Sequence, residues 1–412
     1  MFVALALFPS PSELDRILSN PKFDGAVISA TVLDADGKTL YDHNGSIHVV
    51  PASNQKLLSN AFALWSLGPD YRPKTNFWKL PNRIVIDSPG DPLMTYNRLI
   101  QARDALKLDR RLPVFVHQSY APEIPDSWEI DDLPNRYSAA VTSLTFDQGA
   151  FTASIRQGRV CLLPEAFGVK IDRIASKGKV DLRYDLFARR ITVSGELPAK
   201  DQMLDTLALP RPDEAAASLF GSSFHSISEV PNQAPDYVIE GGSTIEMVGR
   251  CLPPSDNNIA ENLLLMGAQV QGPLGPRPYE LARTRLESFL TRVVGIQPSD
   301  VHAYDGSGLS RHNYVTTRAI GKLLAWESSQ PTGVAWRNAM AHPGIGTLSN
   351  RLKGLTFQAK TGSLDMVASI SGYLTTKLGK NVIVSLIFNQ FGCTASEARG
   401  IADQFITTLA ND

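Results

Sequence analysis

Ser53 and Lys56, in the run Ser53-Asn54-Gln55-Lys56, have the types and spacing for nucleophilic chemistry. Positions three apart on a helix share a face, so Lys56 Nζ can approach Ser53 Oγ. A serine hydroxyl is a weak nucleophile until a neighbouring base takes its proton. A buried lysine beside a second cation can lose its own proton and fill that role. Ser53 also falls at a helix start, where unpaired N–H groups favour developing negative charge. Taken alone, S-x-x-K is common by chance, and an N-cap serine with a solvated lysine is the simpler account of it.

Two further clusters lie downstream. Ser255-Asp256-Asn257 stands between a helical segment and the apolar run ENLLLMGAQV. Its hydroxyl can pass a proton and its amide can hold a substrate carbonyl, but all three residue types also favour a plain capping turn. Lys360-Thr361-Gly362-Ser363 reads as strand. A lysine in a strand core needs a reason, and glycine weakens a strand unless another backbone or a ligand approaches closely. Thr361 and Ser363 alternate onto one face, where they can bind a carboxylate. An edge strand blunted by lysine explains Lys360 alone and leaves the set unexplained.

The elements that must position these residues are legible at both ends of the chain. Residues 12–19 read as a short helix with Ser12 as N-cap and Asn20-Pro21 as stop. Strands follow at 26–34 and 38–42, joined through Asp36 and Gly37. Leu57, Leu58, Phe62, Leu64 and Trp65 then fit a core helix closed by Gly68 and Pro69. Near the C-terminus, Phe357–Leu364, Val367–Thr375 and Asn381–Phe388 read as consecutive strands, with LGKN as a hairpin, and a closing helix covers 395–409. Short connections imply antiparallel neighbours, so the two ends build one sheet flanked by terminal helices. Between about 70 and 240, Pro and Gly punctuate short alternating strands such as 191–196, with a helical patch near 95–107.

Together and in this order, on a helix start, a loop and a strand, the three clusters form the S-x-x-K, S-D-N, K-T-G signature of penicillin-binding proteins and serine β-lactamases. PSDNNIAENLL (254–264), DGSGLSRHNYVT (305–316), GTLSNRL (346–352) and AKTGSLDMVASISGYL (359–374) resemble class C penicillin-binding proteins, the D-Ala-D-Ala carboxypeptidase/endopeptidase family. GDP at 90–92 and WEIDDLPNRYSAAVTSL at 128–144 are weaker matches. The resemblance implies an α/β (α+β) transpeptidase-like domain with an antiparallel sheet flanked by helices, formed by residues 1–70 and 240–412. Residues 71–239 are the inserted region, in one or two smaller subdomains, one around 82–118; this insert is somewhat short for the family. The resemblance further implies Ser53, Lys56, Ser255, Asn257 and Lys360 as catalytic residues and Thr361, Gly362 and Ser363 as substrate-binding. Backbone N–H groups of Ser53 and Ser363 would form the oxyanion hole. Asp132 and Tyr137 match an acidic and an aromatic family position facing the cleft, against a plain solvated loop at Pro134. For Arg311, a carboxylate-binding cation and a structural tie between loops stand evenly matched.

The activity this implies is hydrolysis of D-alanyl peptide bonds in peptidoglycan through an acyl-enzyme, with β-lactams as acylating inhibitors. A β-lactamase or esterase on the same fold, or a non-catalytic peptidoglycan sensor, are the alternatives. No carboxylate motif for fast deacylation is visible, and the intact triplets speak against a sensor. No H-E-x-x-H or G-x-S-x-G motif occurs, and no metal or cofactor is expected. Forty Lys and Arg face forty-one Asp and Glu, which gives no reason to expect nucleic acid or an anionic membrane as partner. Cys161, Cys251 and Cys393 form no ligand spacing and read as buried free thiols, although one bridge among them is open. No apolar run is long enough to span a bilayer. MFVALALF at the start lacks a basic n-region and a cleavage site, so it reads as a helix or strand before it reads as a trimmed export signal. A cell-wall substrate places the enzyme outside the cytoplasmic membrane.

Overall fold

In the computed structural model, which describes residues 10–165 and 167–411, the chain divides into two compact units. One comprises the chain up to Pro69, Val248–Ala260 and everything from Tyr279 onward; the other is Asp70–Met247 with Glu261–Pro278. The opening MFVALALF lies outside the described residues.

The first unit is built on a five-stranded antiparallel sheet in the order Thr356–Leu364, Val367–Thr375, Asn381–Asn389, Val27–Asp34, Thr39–His43. The N-terminal strand pairs with the last one, Val27 opposite Asn389 and Asp34 opposite Val382, which joins the two ends of the sequence as short connections required. Gly37 takes φ 83° in the turn between the first two strands, a conformation that costs glycine little. The two central C-terminal strands are buried almost throughout, because helices cover both faces of the sheet. On one face Leu14, Ile17 and Leu18 of helix Pro11–Leu18 and Phe405 and Leu409 of helix Ala395–Ala410 join Phe23 and Phe388 in a single core. On the other lie helices Thr317–Ser328 and Gln55–Leu67.

Three details depart from the sequence reading. The first helix begins at Pro11 with Ser10 at its N-cap, because proline fits the first turn, where no N–H is needed; Ser12 lies inside the helix. Trp65 is 45% exposed instead of core, with its ring 5.0 Å from that of Phe289 at the rim. All three cysteines are free, yet only Cys251 is buried.

Among the described residues the second unit holds three sheets. A five-stranded mixed sheet runs Phe224–Ile227, Val114–Gln118, Ile84–Ser88, Lys74–Lys79, Tyr237–Glu240, its first three strands parallel. Two three-stranded sheets, one containing Arg190–Gly195 and the other Ala150–Arg156, share one apolar core with it and with helix Tyr96–Leu106.

Candidate active site

Ser53 stands on a 3₁₀ turn, Ala52–Asn54, which runs directly into helix Gln55–Leu67. Ala52 takes φ 47°, a strained backbone for a residue with a Cβ. It is held there from outside: a Cβ on Gly308 would lie 1.8 Å from the Ala52 carbonyl oxygen, so the two backbones touch. Lys56 is fully buried one helical turn on, and its Nζ lies 2.9 Å from Ser53 Oγ, 2.6 Å from Asn257 Oδ1 and 2.7 Å from the Ser307 carbonyl. The solvated lysine of the simpler account is therefore not what forms.

At Ser255-Asp256-Asn257 the capping and the chemical readings are divided among the residues. Asp256 caps helix Asn257–Gln269 by accepting the Ile259 N–H at 3.0 Å. Asn257, the first helical residue, turns its amide oxygen to Lys56. Ser255 takes φ 65°, which aims its hydroxyl at the KTG strand, where it accepts from Lys360 Nζ at 2.9 Å.

Lys360 sits on the edge strand of the sheet but is fully buried, unlike a lysine placed to blunt an edge. Its second contact is the Thr361 carbonyl at 2.7 Å. Burial, and behind it the charge of Lys56, hold the Lys360 ammonium well below the usual lysine range. Burial pushes the Cys251 thiol up to about 12, so this neighbour of both lysines stays a neutral thiol, donating to the Asp256 carbonyl at 3.5 Å.

Gly362 faces the nucleophile. A Cβ there would stand 2.3 Å from Ser369 Oγ and 2.7 Å from Ser53 N, so only glycine lets the strand approach this closely. Ser369 fixes the other side of the turn by donating to the Pro51 carbonyl at 2.8 Å. Thr361 Oγ1 donates to Thr347 Oγ1 at 2.7 Å, while Ser363 is exposed. Arg311 donates Nη1 to the Asp365 carbonyl at 3.0 Å, tying the turn that follows the KTG strand.

In the second unit Asp132 and Tyr137 come together: the Tyr137 hydroxyl donates to Asp132 Oδ1 at 2.7 Å, and 44% of Tyr137 is exposed. The 305–316 and 346–352 segments are recognisable in the sequence, but the roles of Asp305, Ser307, Gly308 and Thr347 are not. Backbone carbonyls such as that of Ser307 carry no residue-type signal. The glycine spacing in DGSG was the one available hint.

A seryl hydroxyl bonded to a buried lysine, with a second serine bonded to a lysine on the edge of an antiparallel sheet, defines a serine hydrolase of the acyl-enzyme type. The chain belongs to the D-Ala-D-Ala carboxypeptidase 3 (S13) family, whose model matches residues 11–412. It is 27% identical over 420 residues to a D-alanyl-D-alanine carboxypeptidase of Actinomadura sp. (strain R39), covering 88% of this chain and 78% of the relative. Its fold matches the crystal structure of penicillin binding protein 4 (dacB) from Haemophilus influenzae at TM-score 0.80 and 21% identity, over 98% of each chain. The same Haemophilus influenzae protein complexed with a β-lactam matches at TM-score 0.74 and 20% identity, again over 98% of each. Among the described residues no helix is long and apolar enough to cross a membrane.

Proposed function

We propose that this serine DD-peptidase works through Ser53 as nucleophile and Lys56 as general base. The observation that carries the assignment is the bonding of Lys56 Nζ. Two of its contacts, the Ser307 carbonyl and Asn257 Oδ1, are pure acceptors. A neutral amine has two N–H groups and one lone pair. With both N–H groups given to those acceptors, the lone pair points at Ser53 Oγ, 2.9 Å away.

Ser53 Oγ then attacks the carbonyl carbon of the penultimate D-Ala while Lys56 takes its proton. Backbone N–H groups of Ser53 and Ser363 stabilise the oxyanion. As the C–N bond breaks, the proton held by Lys56 passes through Ser255, which gives its own to the leaving amine and is reprotonated, with Lys360 behind it at 2.9 Å keeping the field at the site positive. Water hydrolyses the acyl-enzyme by the reverse proton path. Nucleophile, base and relay all come from the chain, so the reaction as proposed uses no cofactor. Thr361 and Ser363 bind the terminal carboxylate, Gly362 keeps the strand against Ser53, Asn257 holds a stem-peptide amide, and Arg311 adds positive charge at the adjoining turn.

The substrate is peptidoglycan stem peptide, cut as carboxypeptidase, endopeptidase or both, and β-lactams acylate the same serine. The β-lactam complex of the Haemophilus influenzae relative supports this reading. Residues 1–70 and 240–412 form the peptidase domain and 71–239 the inserted region, in which Asp132 and Tyr137 read the substrate's side chain. Cell-wall peptide places the enzyme outside the cytoplasmic membrane. The test is release of free D-alanine from a peptide ending in D-Ala-D-Ala. Wild type should release it and Ser53→Ala should lose several orders of magnitude in rate; equal release by both would reject Ser53.

A further inference from the structure

The loop Tyr304–Asn313 lies against the nucleophile's turn, and one buried carboxylate organises it. Asp305 Oδ1 accepts the Gly308 N–H and the Asn313 side-chain N–H, each at 2.8 Å. Its Oδ2 accepts the Ser310 N–H at 2.7 Å. Asn313 in turn accepts the Tyr304 N–H at 2.8 Å, which closes the loop on itself. Asp305, Ser307, Ser310 and Asn313 are all fully buried. A carboxylate that accepts three hydrogen bonds out of contact with solvent leaves its loop few other shapes.

That loop meets both the catalytic helix and the 3₁₀ turn before it. The Ser307 carbonyl accepts from Lys56 Nζ. The Gly306 carbonyl accepts from Ser59 Oγ at 2.6 Å. The Asp305 carbonyl accepts from Gln55 Nε2 at 3.1 Å. Gly308 abuts the Ala52 carbonyl with no room for a Cβ. Gln55, Lys56 and Ser59 fall within the first two turns of the helix, so the loop registers its start and the strained Ala52 backbone together.

We infer that Asp305 is a positioning residue for the general base: it shapes this loop so that the Ser307 carbonyl takes one N–H of Lys56 and leaves the amine lone pair to Ser53. The inference rests on the reading of Lys56 as base. Without the carbonyl in place, the amine can rotate and offer Ser53 an N–H instead of a lone pair. Loss of an acceptor also weakens the protonated form, so the base should stay neutral to lower pH while working less well.

The test is the second-order rate of acylation by a labelled penicillin across pH, normalised to folded protein, for wild type, Asp305→Asn, Ser59→Ala and Lys56→Ala. An asparagine at 305 would turn an N–H donor toward the donors of Gly308 or Ser310 and loosen the loop. Its rate should fall roughly tenfold to hundredfold at the plateau, with the acidic limb moved down by roughly half a pH unit. Lys360 and Cys251, titratable neighbours of Lys56 on other elements, are unchanged in both variants. Asp305→Asn also removes a charge, which by itself moves the limb the same way. Ser59→Ala removes a tie of the same loop without changing charge. It should lower the plateau severalfold, again with a downward limb shift, and it decides the matter if Asp305→Asn fails to fold. A purely structural role for Asp305 would reduce the folded fraction and leave rate per folded molecule and limb unmoved. That result in both variants, with Lys56→Ala inactive, overturns the inference and keeps Lys56 as base; an active Lys56→Ala instead rejects the reading of Lys56 itself.

Discussion

Gly362 lies so close to Ser53 that a Cβ built on it would stand 2.7 Å from the Ser53 backbone nitrogen. The KTG strand therefore runs against the backbone of the nucleophile's turn, where the proposed oxyanion donors are the N–H groups of Ser53 and Ser363. Gly362→Ala should push the strand off the turn. Acylation by penicillin should fall on the order of 10²- to 10³-fold, the usual cost of one misplaced oxyanion donor. Thermal unfolding should shift by only a few degrees, since the sheet's other pairings remain. A wild-type acylation rate in this variant would show that the close approach has no catalytic purpose.

Lys360 sets stability against chemistry. Its folded-state proton affinity is depressed by burial, so between its folded and unfolded pKa values the unfolded chain binds more protons and stability rises with pH. Below the folded pKa the burial penalty on the charged ammonium is felt in full. Lys360→Met keeps the aliphatic volume and removes that penalty. It should raise the unfolding midpoint by a few degrees at neutral pH and flatten its rise toward pH 10, while acylation falls roughly 10²-fold or more. Calorimetry across pH together with adduct formation checks both halves.

How much of this was legible in sequence follows from the range of the interactions involved. The terminal strands showed because 356–389 carries three apolar runs separated by short turns, and the register there needs no long-range information. The second unit did not show as three sheets, because its parallel pairs, such as Val114–Gln118 with Phe224–Ile227, join strands about a hundred residues apart through edges that leave no local pattern. Residue type alone points to Ser12 as the cap, whereas Pro11 fits the first turn and moves the cap to Ser10; apolar type alone points Trp65 to the core, whereas the last turn of its helix reaches the surface. At the site, side-chain chemistry was readable from motif spacing. The φ 65° of Ser255 and the carbonyl of Ser307 were not, since each depends on loops brought together only in the fold.

Glu327 gives a second pH signature, away from the chemistry. Burial raises its carboxyl to about 8, and its Oε2 has no hydrogen-bond partner among the described residues. Here the folded state binds the extra proton, so stability is lost as pH rises from the ordinary glutamate range through about 8. The loss should approach about 1.4 kcal/mol per pH unit at its steepest. Glu327→Gln should unfold at nearly the same urea concentration at pH 5 and become the more stable protein at pH 8. Parallel urea curves at both pH values would contradict this.

Asp132 tests whether the inserted region reads charge. Its carboxylate is oriented by the Tyr137 hydroxyl at 2.7 Å and is half-buried, which suits it to pair with the free amine of a diaminopimelate-type stem residue. Asp132→Asn should cut the preference for a free-amine stem peptide over its acetylated form by roughly tenfold, equivalent to a partly desolvated ion pair of about 1–2 kcal/mol. An unchanged preference, measured as a ratio of kcat/KM values, would assign the pair to loop structure alone.

The residue that carries the acyl group is the nucleophile. The direct measurement is to label the protein with penicillin, digest it, and locate the adduct by tandem mass spectrometry in wild type and in Ser53→Ala. We expect one adduct, on Ser53 within the peptide that carries Asn54-Gln55-Lys56, and none in the variant. An adduct on Ser255, Ser363 or any other residue, or one that persists in Ser53→Ala, would contradict Ser53 as the nucleophile.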